Sequence, residues 1–244
     1  MNTEEYGRMF AVEDSHWWYV ALRAHVRAAC AQFAARATRI VDVGCGTGGM
    51  AVGLAMGAEV VGLDFSNEGL AYCRKRGLTR LARGDAAHLP LQPGACDVVL
   101  LLDVLYHRNV GDPLAVLGEV HRVLAPGGVV VINVPAYGWL RSSHDVAVHT
   151  ERRFTRREVC GLIRAAGFEV CFASYWNMLL FPAIVLLRGY RRWVPPKGSD
   201  VAEAGMPLVN WVLGGFMACE RALMRVVPLP FGVSVFVVAR KGGE

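Results

Sequence analysis

Several features that would assign this chain to a familiar class of protein are missing from its sequence. Its seven cysteines include no Cys-x-x-Cys pair, so the sequence predicts reduced thiols, with no disulfide framework and no metal site. No apolar run reaches the ~20 residues that a membrane-spanning helix requires. Residues 1–6 are polar and acidic and lack the basic region of a signal peptide. We therefore expect a cytoplasmic protein.

Charged residues are also scarce. They make up 19% of the chain, whereas 54% of its residues are hydrophobic and the mean hydropathy is +0.32. The net charge of +5 is modest, and no block of lysines and arginines with interleaved aromatic residues predicts nucleic-acid binding. A chain of 244 residues can form one large domain with a substantial core.

The most informative feature that is present is a glycine cluster that follows a β-branched segment. Residues 39–43 predict a strand, the glycine-rich residues 44–49 predict a tight turn, and residues 50–55 can form a helix. A second apolar run, residues 59–63, ends at Asp64, whose carboxylate is well placed to accept hydrogen bonds from ribose hydroxyls. This order predicts a βαβ unit that binds a nucleotide.

The residues around the glycines bear on which nucleotide binds. Gly44, Gly46 and Gly49 fit the G-x-G-x-x-G pattern of dinucleotide-binding enzymes, in which a pyrophosphate lies at a helix N-terminus. Asp42 precedes the first of these glycines, and a carboxylate there would repel a pyrophosphate but could pair with a cationic ligand. The pattern favours a cationic nucleoside, with an NAD(P)-dependent oxidoreductase as the alternative.

Residues 41–48, VDVGCGTG, closely resemble motif I of the class I S-adenosylmethionine-dependent methyltransferases. Further motifs follow in the order of that family. Residues 83–86 resemble its third-strand motif, residues 96–107 its fourth strand and the following loop, and residues 114–135 its helix, LAPGG turn and apolar strand. The resemblance covers residues 39–135.

The resemblance implies a Rossmann-like, doubly wound α/β fold. We expect a seven-stranded sheet, mainly parallel with an antiparallel last strand, together with an N-terminal helical lid and a helical insert before the last strand. The whole chain is expected to be one methyltransferase domain. Its expected parts are the lid helix (residues 1–37), the cofactor-binding core (residues 38–175), the insert (residues 176–230) and the last strand with the tail (residues 231–244).

The resemblance also implies the cofactor, S-adenosylmethionine, and the residues that bind it. In the family, the glycine turn approaches the amino-acid end of the cofactor. The acid after the second strand binds the ribose, and the acid of the third-strand motif accepts from the adenine amine. The expected cofactor-binding residues are Asp42, Gly44, Cys45, Gly46, Asp64, Phe65, Asp85, Ala86, Leu101 and Trp17.

Two segments outside the motifs leave alternatives open. Residues 13–35 predict a helix with Asp14 or Ser15 as N-cap, and its aromatic residues either anchor it on the sheet or cap the cofactor pocket. The insert predicts a helical hairpin with arms at residues 178–187 and 207–226. Its apolar first arm either packs on the second arm or on a partner subunit, as in a homodimer, or contacts a membrane or a lipid-like substrate.

Methyl transfer from a sulfonium is an in-line displacement, so the enzyme mainly aligns the nucleophile and excludes water. A hydroxyl or protonated amine acceptor also needs a base, for which imidazole suits neutral pH. The candidate catalytic residues are His107, His144, Asp145 and His149, and Asp145 is expected to orient a histidine. We predict methyl transfer to a small or amphiphilic acceptor; a non-catalytic binding partner of the same fold is a further alternative.

Overall fold

A single twisted sheet organises the chain. The computed structural model describes residues 3–54, 57–193 and 207–243. The strands are β1 (Arg39–Val43), β2 (Glu59–Asp64), β3 (Leu81–Arg83), β4 (Cys96–Leu102), β5 (Leu124–Pro135), β6 (Phe168–Trp176) and β7 (Ser234–Lys241). Their order in the sheet is β3-β2-β1-β4-β5-β7-β6, and only β7 runs antiparallel to its neighbours. The predicted seven-stranded fold with an antiparallel last strand is confirmed.

Helices cover both faces of this sheet. They are α1 (Thr3–Val12), α2 (Trp17–Phe33), α3 (Gly49–Leu54), α4 (Asn67–Lys75), α5 (Pro113–Val123), α6 (Ser143–Ala147), α7 (Arg156–Ala165), α8 (Phe181–Trp193) and α9 (Pro207–Met224). Residues 98–101 of β4 are fully buried, as expected of a central parallel strand. Leu117 of α5 and Ile163 of α7 pack in the core on one face. Leu22 of α2 and Met217 of α9 pack in the core on the other.

The N-terminal region differs from its prediction. It forms two helices, α1 and α2, and not one. The Trp18 N–H donates to His16 Nδ1 over 3.2 Å, so His16 is the N-cap of α2. The prediction of Asp14 or Ser15 as N-cap is wrong, because these residues lie in the turn between the two helices, where Asp14 pairs with Arg76.

The insert forms the two predicted helical arms, α8 and α9, and its tip, residues 194–206, lies outside the described residues. Helix α9 packs mainly on α2. Its Glu220 is fully buried and accepts from three successive backbone N–H groups, those of Asn177, Met178 (2.7 Å) and Leu179 (3.0 Å). None of the helices in the described residues is long and apolar enough to span a membrane.

Candidate functional site

A cavity of about 1180 Å³ lies at the carboxyl ends of β1, β2 and β4. The strand order reverses between β1 and β4, and ligands of doubly wound sheets bind at such a reversal. The side opposite the sheet is closed by α1, α2 and α8, which contribute Met9, Trp17 and Leu187 among other residues. The sheet therefore supplies the floor of the site, and the N-terminal helices and the insert supply its cover.

The glycine turn between β1 and α3 has no room for side chains at two positions. Gly44 and Gly46 have positive φ angles of 74° and 55°. A Cβ on Gly44 would lie 2.5 Å from Cγ2 of Val104, and one on Gly46 would lie 2.7 Å from Cε of Met9. Any larger residue here would be strained, and one at Gly46 would also require the Met9 side chain to move.

Asp64, at the tip of β2, holds this turn. Its carboxylate accepts from the Gly46 N–H and from the Ser66 N–H, each over 2.8 Å. Burial raises the pKa of the Asp64 carboxyl, although these backbone hydrogen bonds oppose the shift. Cys45, within the turn, lies with its Sγ 3.7 Å from Sγ of Cys73. This hydrogen bond and burial raise the pKa of the Cys45 thiol, so Cys45 fills space and is no nucleophile.

Asp42 is a buried carboxylate whose surroundings indicate the charge of the ligand. Its side chain is 2% exposed, and Oδ2 finds no hydrogen-bond partner among the residues that the structure describes. Burial, together with the charges of Asp64 and Glu13, raises the pKa of Asp42 to about 8. Three acids around one glycine turn disfavour a pyrophosphate and favour a ligand that carries positive charge. The residues therefore fit the sulfonium and ammonium groups of S-adenosylmethionine.

The residues expected around the adenine line the next part of the cavity wall. Phe65 is 57% exposed, and the Arg83 guanidinium lies 5.5 Å from its ring centre. Asp85 accepts from the Ala87 N–H over 2.9 Å, and Ala86 follows it in the wall. Leu101 is placed differently: it is fully buried in the core, and the cavity is lined by the next residues of the chain.

A charged network fastens the N-terminal cover (residues 3–16) over the glycine turn. Arg76, which follows α4, pairs with Glu13 (2.8 Å) and Asp14 (2.7 Å), and its Nε donates to the Thr47 carbonyl (3.0 Å). Glu13 also accepts from the Thr47 hydroxyl. Trp17, expected to cap the pocket, lines the cavity, and its N–H donates to Asn210 of α9 over 3.2 Å.

Among the described side chains, the charged partner of the Asp145 carboxylate is an arginine, where the sequence analysis expected a histidine. Its carboxylate makes a two-pronged ion pair with Arg153, with contacts of 2.8 and 3.0 Å, and both side chains are buried. The hydrogen bonds and charge of Arg153 outweigh burial and lower the pKa of Asp145. The side chain of His144 lies outside the described residues. Sequence spacing suggested a His–Asp pair, but the nearby arginine competes for the same carboxylate.

His107 and His149 come together at the cavity rim. Their ring centres are 5.7 Å apart, and the Arg108 N–H donates to the His149 carbonyl over 3.1 Å. Burial lowers the pKa of His107 to about 4, so its ring is neutral at pH 7. Its Nδ1 accepts from the Asn109 N–H over 3.2 Å, which leaves the ring proton on Nε2. His107 is therefore a weak base, and its ring is better suited to donate a hydrogen bond from Nε2 than to accept a proton.

Asp103 lies beside them and was missed by the sequence analysis. It follows β4 with a φ of 61°, and both its carboxylate oxygens accept from Asn133 Nδ2, over 3.1 and 3.2 Å. Asn133 in turn accepts from the Trp176 indole N–H over 2.7 Å. Burial raises the pKa of Asp103 to about 7. The available signal was an acid placed directly after the fourth strand, where a ligand site of this fold is expected.

The fold and the acid-lined glycine turn agree with the resemblance to the class I S-adenosylmethionine-dependent methyltransferases. Comparison with known proteins agrees. Residues 41–132 match the family described as a methyltransferase domain. The chain is 45% identical over 102 residues to the demethylmenaquinone methyltransferase of Thermus thermophilus, and the match covers 38% of this chain and 46% of that protein. The chain thus spans about half the length of the curated relatives it matches.

Solved structures share the whole fold. A chain of the complex between the Haloferax volcanii Trm112 methyltransferase activator and a methyltransferase superposes with a TM-score of 0.64 at 23% identity, covering 99% of this chain and 96% of that chain. A S-adenosylmethionine-dependent methyltransferase from Mesorhizobium loti gives a TM-score of 0.59 at 21% identity, covering 94% and 100%. The resemblance seen in the motifs is confirmed by the family match over residues 41–132, which also supports S-adenosylmethionine as the cofactor, and the solved structures confirm the fold.

Proposed function

We propose that this chain transfers a methyl group from S-adenosylmethionine to an amphiphilic small molecule. The observation that carries the proposal is the buried Asp42 carboxylate, whose Oδ2 has no partner among the described residues and which lines the same cavity as the glycine turn, Asp64 and Glu13. When bound, S-adenosylmethionine supplies an electrophilic methyl group on a sulfonium sulfur. Asp42 would offset its positive charge, and Asp64 would accept from the ribose hydroxyls while it holds the turn.

The cofactor assignment is tested by calorimetric titration of S-adenosylhomocysteine into wild type and Asp64→Ala. We expect the variant to bind at least about tenfold more weakly, because a hydrogen bond to a charged group contributes ~1.5–3 kcal/mol. Glu169→Ala is the matched control, since Glu169 is exposed at the start of β6, near the opposite edge of the sheet. Unchanged affinity in folded Asp64→Ala, or binding of NAD in preference to S-adenosylhomocysteine, would contradict the assignment.

The part of the cavity lined by residues 17–19, Ile184, Leu187 and Asn177 would hold the acceptor (hereafter the acceptor half), and its lining suits an amphiphilic molecule. Residues 17–19 of α2 supply aromatic surface, and Ile184 and Leu187 of α8 supply aliphatic surface. The same space holds polar groups: Asn177 Oδ1 lacks a partner among the described residues, and Asp103 lies at the end of β4. Apolar walls with a few polar atoms suit a molecule that has an apolar body and one hydroxyl or amine. The relative from Thermus thermophilus, named for a quinone, is consistent with this class.

The acceptor class is tested with radiolabelled S-adenosylmethionine and a cell extract. We expect label to enter the organic phase after solvent partition when wild type is present, and Asp64→Ala to give background label. Label that stays in the aqueous phase would contradict an amphiphilic acceptor. Binding of S-adenosylhomocysteine with no transfer to any extract would instead support a non-catalytic binding protein.

We also propose Asp103 as the base that accepts the proton of the acceptor. Its carboxyl lies in the cavity, its pKa of about 7 suits a general base at neutral pH, and Asn133 fixes its orientation. Burial and the charge of Asp103 raise the pKa of Tyr106, which therefore stays protonated and can donate to the acceptor. His107 and His149 stay candidates for contacts with the acceptor, as neutral hydrogen-bonding groups.

A further inference from the structure

Helix α9 exposes an apolar face, while its polar side chains turn inward beside the core residues Met217 and Met224. Its exposed face (hereafter the apolar face of α9) carries no charged residue and includes two of the most exposed apolar side chains of the described residues, Leu208 (71%) and Trp211 (77%). The other large members of this face are Val209, Val212, Phe216 and Leu223. The polar residues point inward instead: Asn210 accepts from Trp17, and Glu220 is fully buried. Surface helices ordinarily show the reverse pattern, and an exposed apolar face of this extent marks an interaction site.

Helix α8 extends the apolar surface to the mouth of the cavity. Leu186 and Tyr190 are 74% and 64% exposed. Leu187, in the same turn, is 47% exposed and also lines the cavity, together with Ile184. Helix α9 reaches the cavity wall as well, through the contact between Asn210 and Trp17. A molecule held at this surface therefore has apolar side chains along its way into the acceptor half.

The charges of the same segments indicate what the surface meets. The described parts of the insert, residues 177–193 and 207–230, contain one acid, Glu220, and it is buried. Arg225, just after α9, is exposed, and Arg221 is partly exposed. A symmetric dimer through this face would bring arginines of two copies towards each other, whereas an anionic lipid surface would offset them.

We propose that the apolar face of α9 and the exposed turn of α8 dock on the surface of an anionic lipid bilayer. An apolar helix face with aromatic side chains and flanking arginines has the composition of an interfacial helix, which lies in the plane of the bilayer and does not cross it. The proposal deepens the proposed function, and it depends on that function only for the consequence that an amphiphilic acceptor passes from the bilayer into the cavity.

The test is sedimentation of the full chain with vesicles. We expect wild type to sediment with vesicles of phosphatidylcholine and phosphatidylglycerol, less with phosphatidylcholine alone, and less with the anionic vesicles at high salt. The double variant Leu208→Ser, Trp211→Ser should partition at least about tenfold more weakly, because both side chains leave the apolar face. Val52→Ser with Leu114→Ser is the control, since both residues are exposed apolar side chains on α3 and α5.

Two results would overturn the docking surface. One is wild type that stays in solution with anionic vesicles. The other is vesicle binding that Leu208→Ser, Trp211→Ser leaves unchanged. If wild type avoids vesicles and sediments as a dimer in ultracentrifugation, while the double variant is a monomer, the face binds a second copy instead. Vesicle binding requires no cofactor, so S-adenosylhomocysteine is titrated separately into the same proteins. Loss of cofactor binding would contradict the proposed methyl transfer, whereas loss of vesicle binding would contradict only the docking surface.

Discussion

Four carboxylates around the cavity share a chemistry but differ in their neighbours. Asp42 is buried with an unpartnered oxygen, and Asp64 accepts from two backbone N–H groups. Asp145 is paired with Arg153, and Asp103 is held by an amide. These environments raise the pKa of Asp42 and Asp103 and lower that of Asp145. The surrounding groups therefore give these acids different roles: Asp42 is suited to pair with a positive charge, Asp103 is a candidate base, and Asp145 is structural.

Asp103→Asn tests the candidate base. Asp103 must be ionised to accept a proton, so the transfer rate of wild type should rise with pH up to an apparent pKa at or below about 7, because a bound sulfonium favours the carboxylate. In the variant we expect this rise to vanish and kcat to fall by about 10²–10⁴-fold. The measurement is kcat against pH with saturating cofactor. His107→Gln serves as the comparison: if it abolishes the pH dependence and Asp103→Asn keeps it, the histidine is the base.

At the scale of elements, the turn between β6 and α8 depends on a side chain from another helix. Asn177 has a φ of 63°, and it and the next two residues direct their N–H groups at Glu220 of α9. Burial raises the pKa of Glu220, and the three donors oppose this shift. A single buried side chain therefore joins α9 to the start of α8, and through it positions both helices of the insert at the cavity.

Glu220→Ala should lower the free energy of unfolding by about 2–4 kcal/mol, because it leaves one buried and two partly buried N–H groups without this acceptor. Denaturant unfolding followed by circular dichroism measures the change. Glu220→Gln keeps one carbonyl acceptor, so its free energy of unfolding should fall clearly less than that of the alanine variant. Equal stability of the alanine variant and wild type would show that water or another group satisfies these donors.

At the scale of the whole molecule, the cofactor site is closed by parts that are far apart in the chain. The N-terminal cover is fastened by Arg76, which contacts Glu13, Asp14 and the Thr47 carbonyl at the same time. A Cβ on Gly46 would reach Met9 of the cover, so the cover lies directly on the glycine turn. We therefore expect the cofactor to leave only after these contacts separate.

Arg76→Gln should speed the release of S-adenosylhomocysteine by about tenfold or more, the change expected if the cover loses ~1.4 kcal/mol of stabilisation. Stopped-flow displacement measures this rate. The control is Arg74→Gln, an exposed arginine in the last turn of α4. A release rate equal to that of wild type would mean that the cover does not limit exit.

The strands and their motifs could be predicted from sequence because their signals are local. The β-branched run before Gly44 and the acid after β2 each lie within a few residues. The N-terminal helices were less predictable. Helix α2 is capped by His16, a residue type that is not a usual N-cap, whereas Asp14 forms its contact with Arg76 across 62 positions of the chain.

The sheet, its βαβ turn and the resemblance of the motifs were readable from local patterns, because periodicity, glycine placement and motif order act over short distances. Which polar groups meet depended on how the elements pack together. This packing paired Asp145 with Arg153, gave Asp103 its amide neighbour and left Asp42 with an unpartnered oxygen. The physical reason is that pKa and hydrogen bonding depend on burial and on neighbours brought from other elements, which no local pattern encodes.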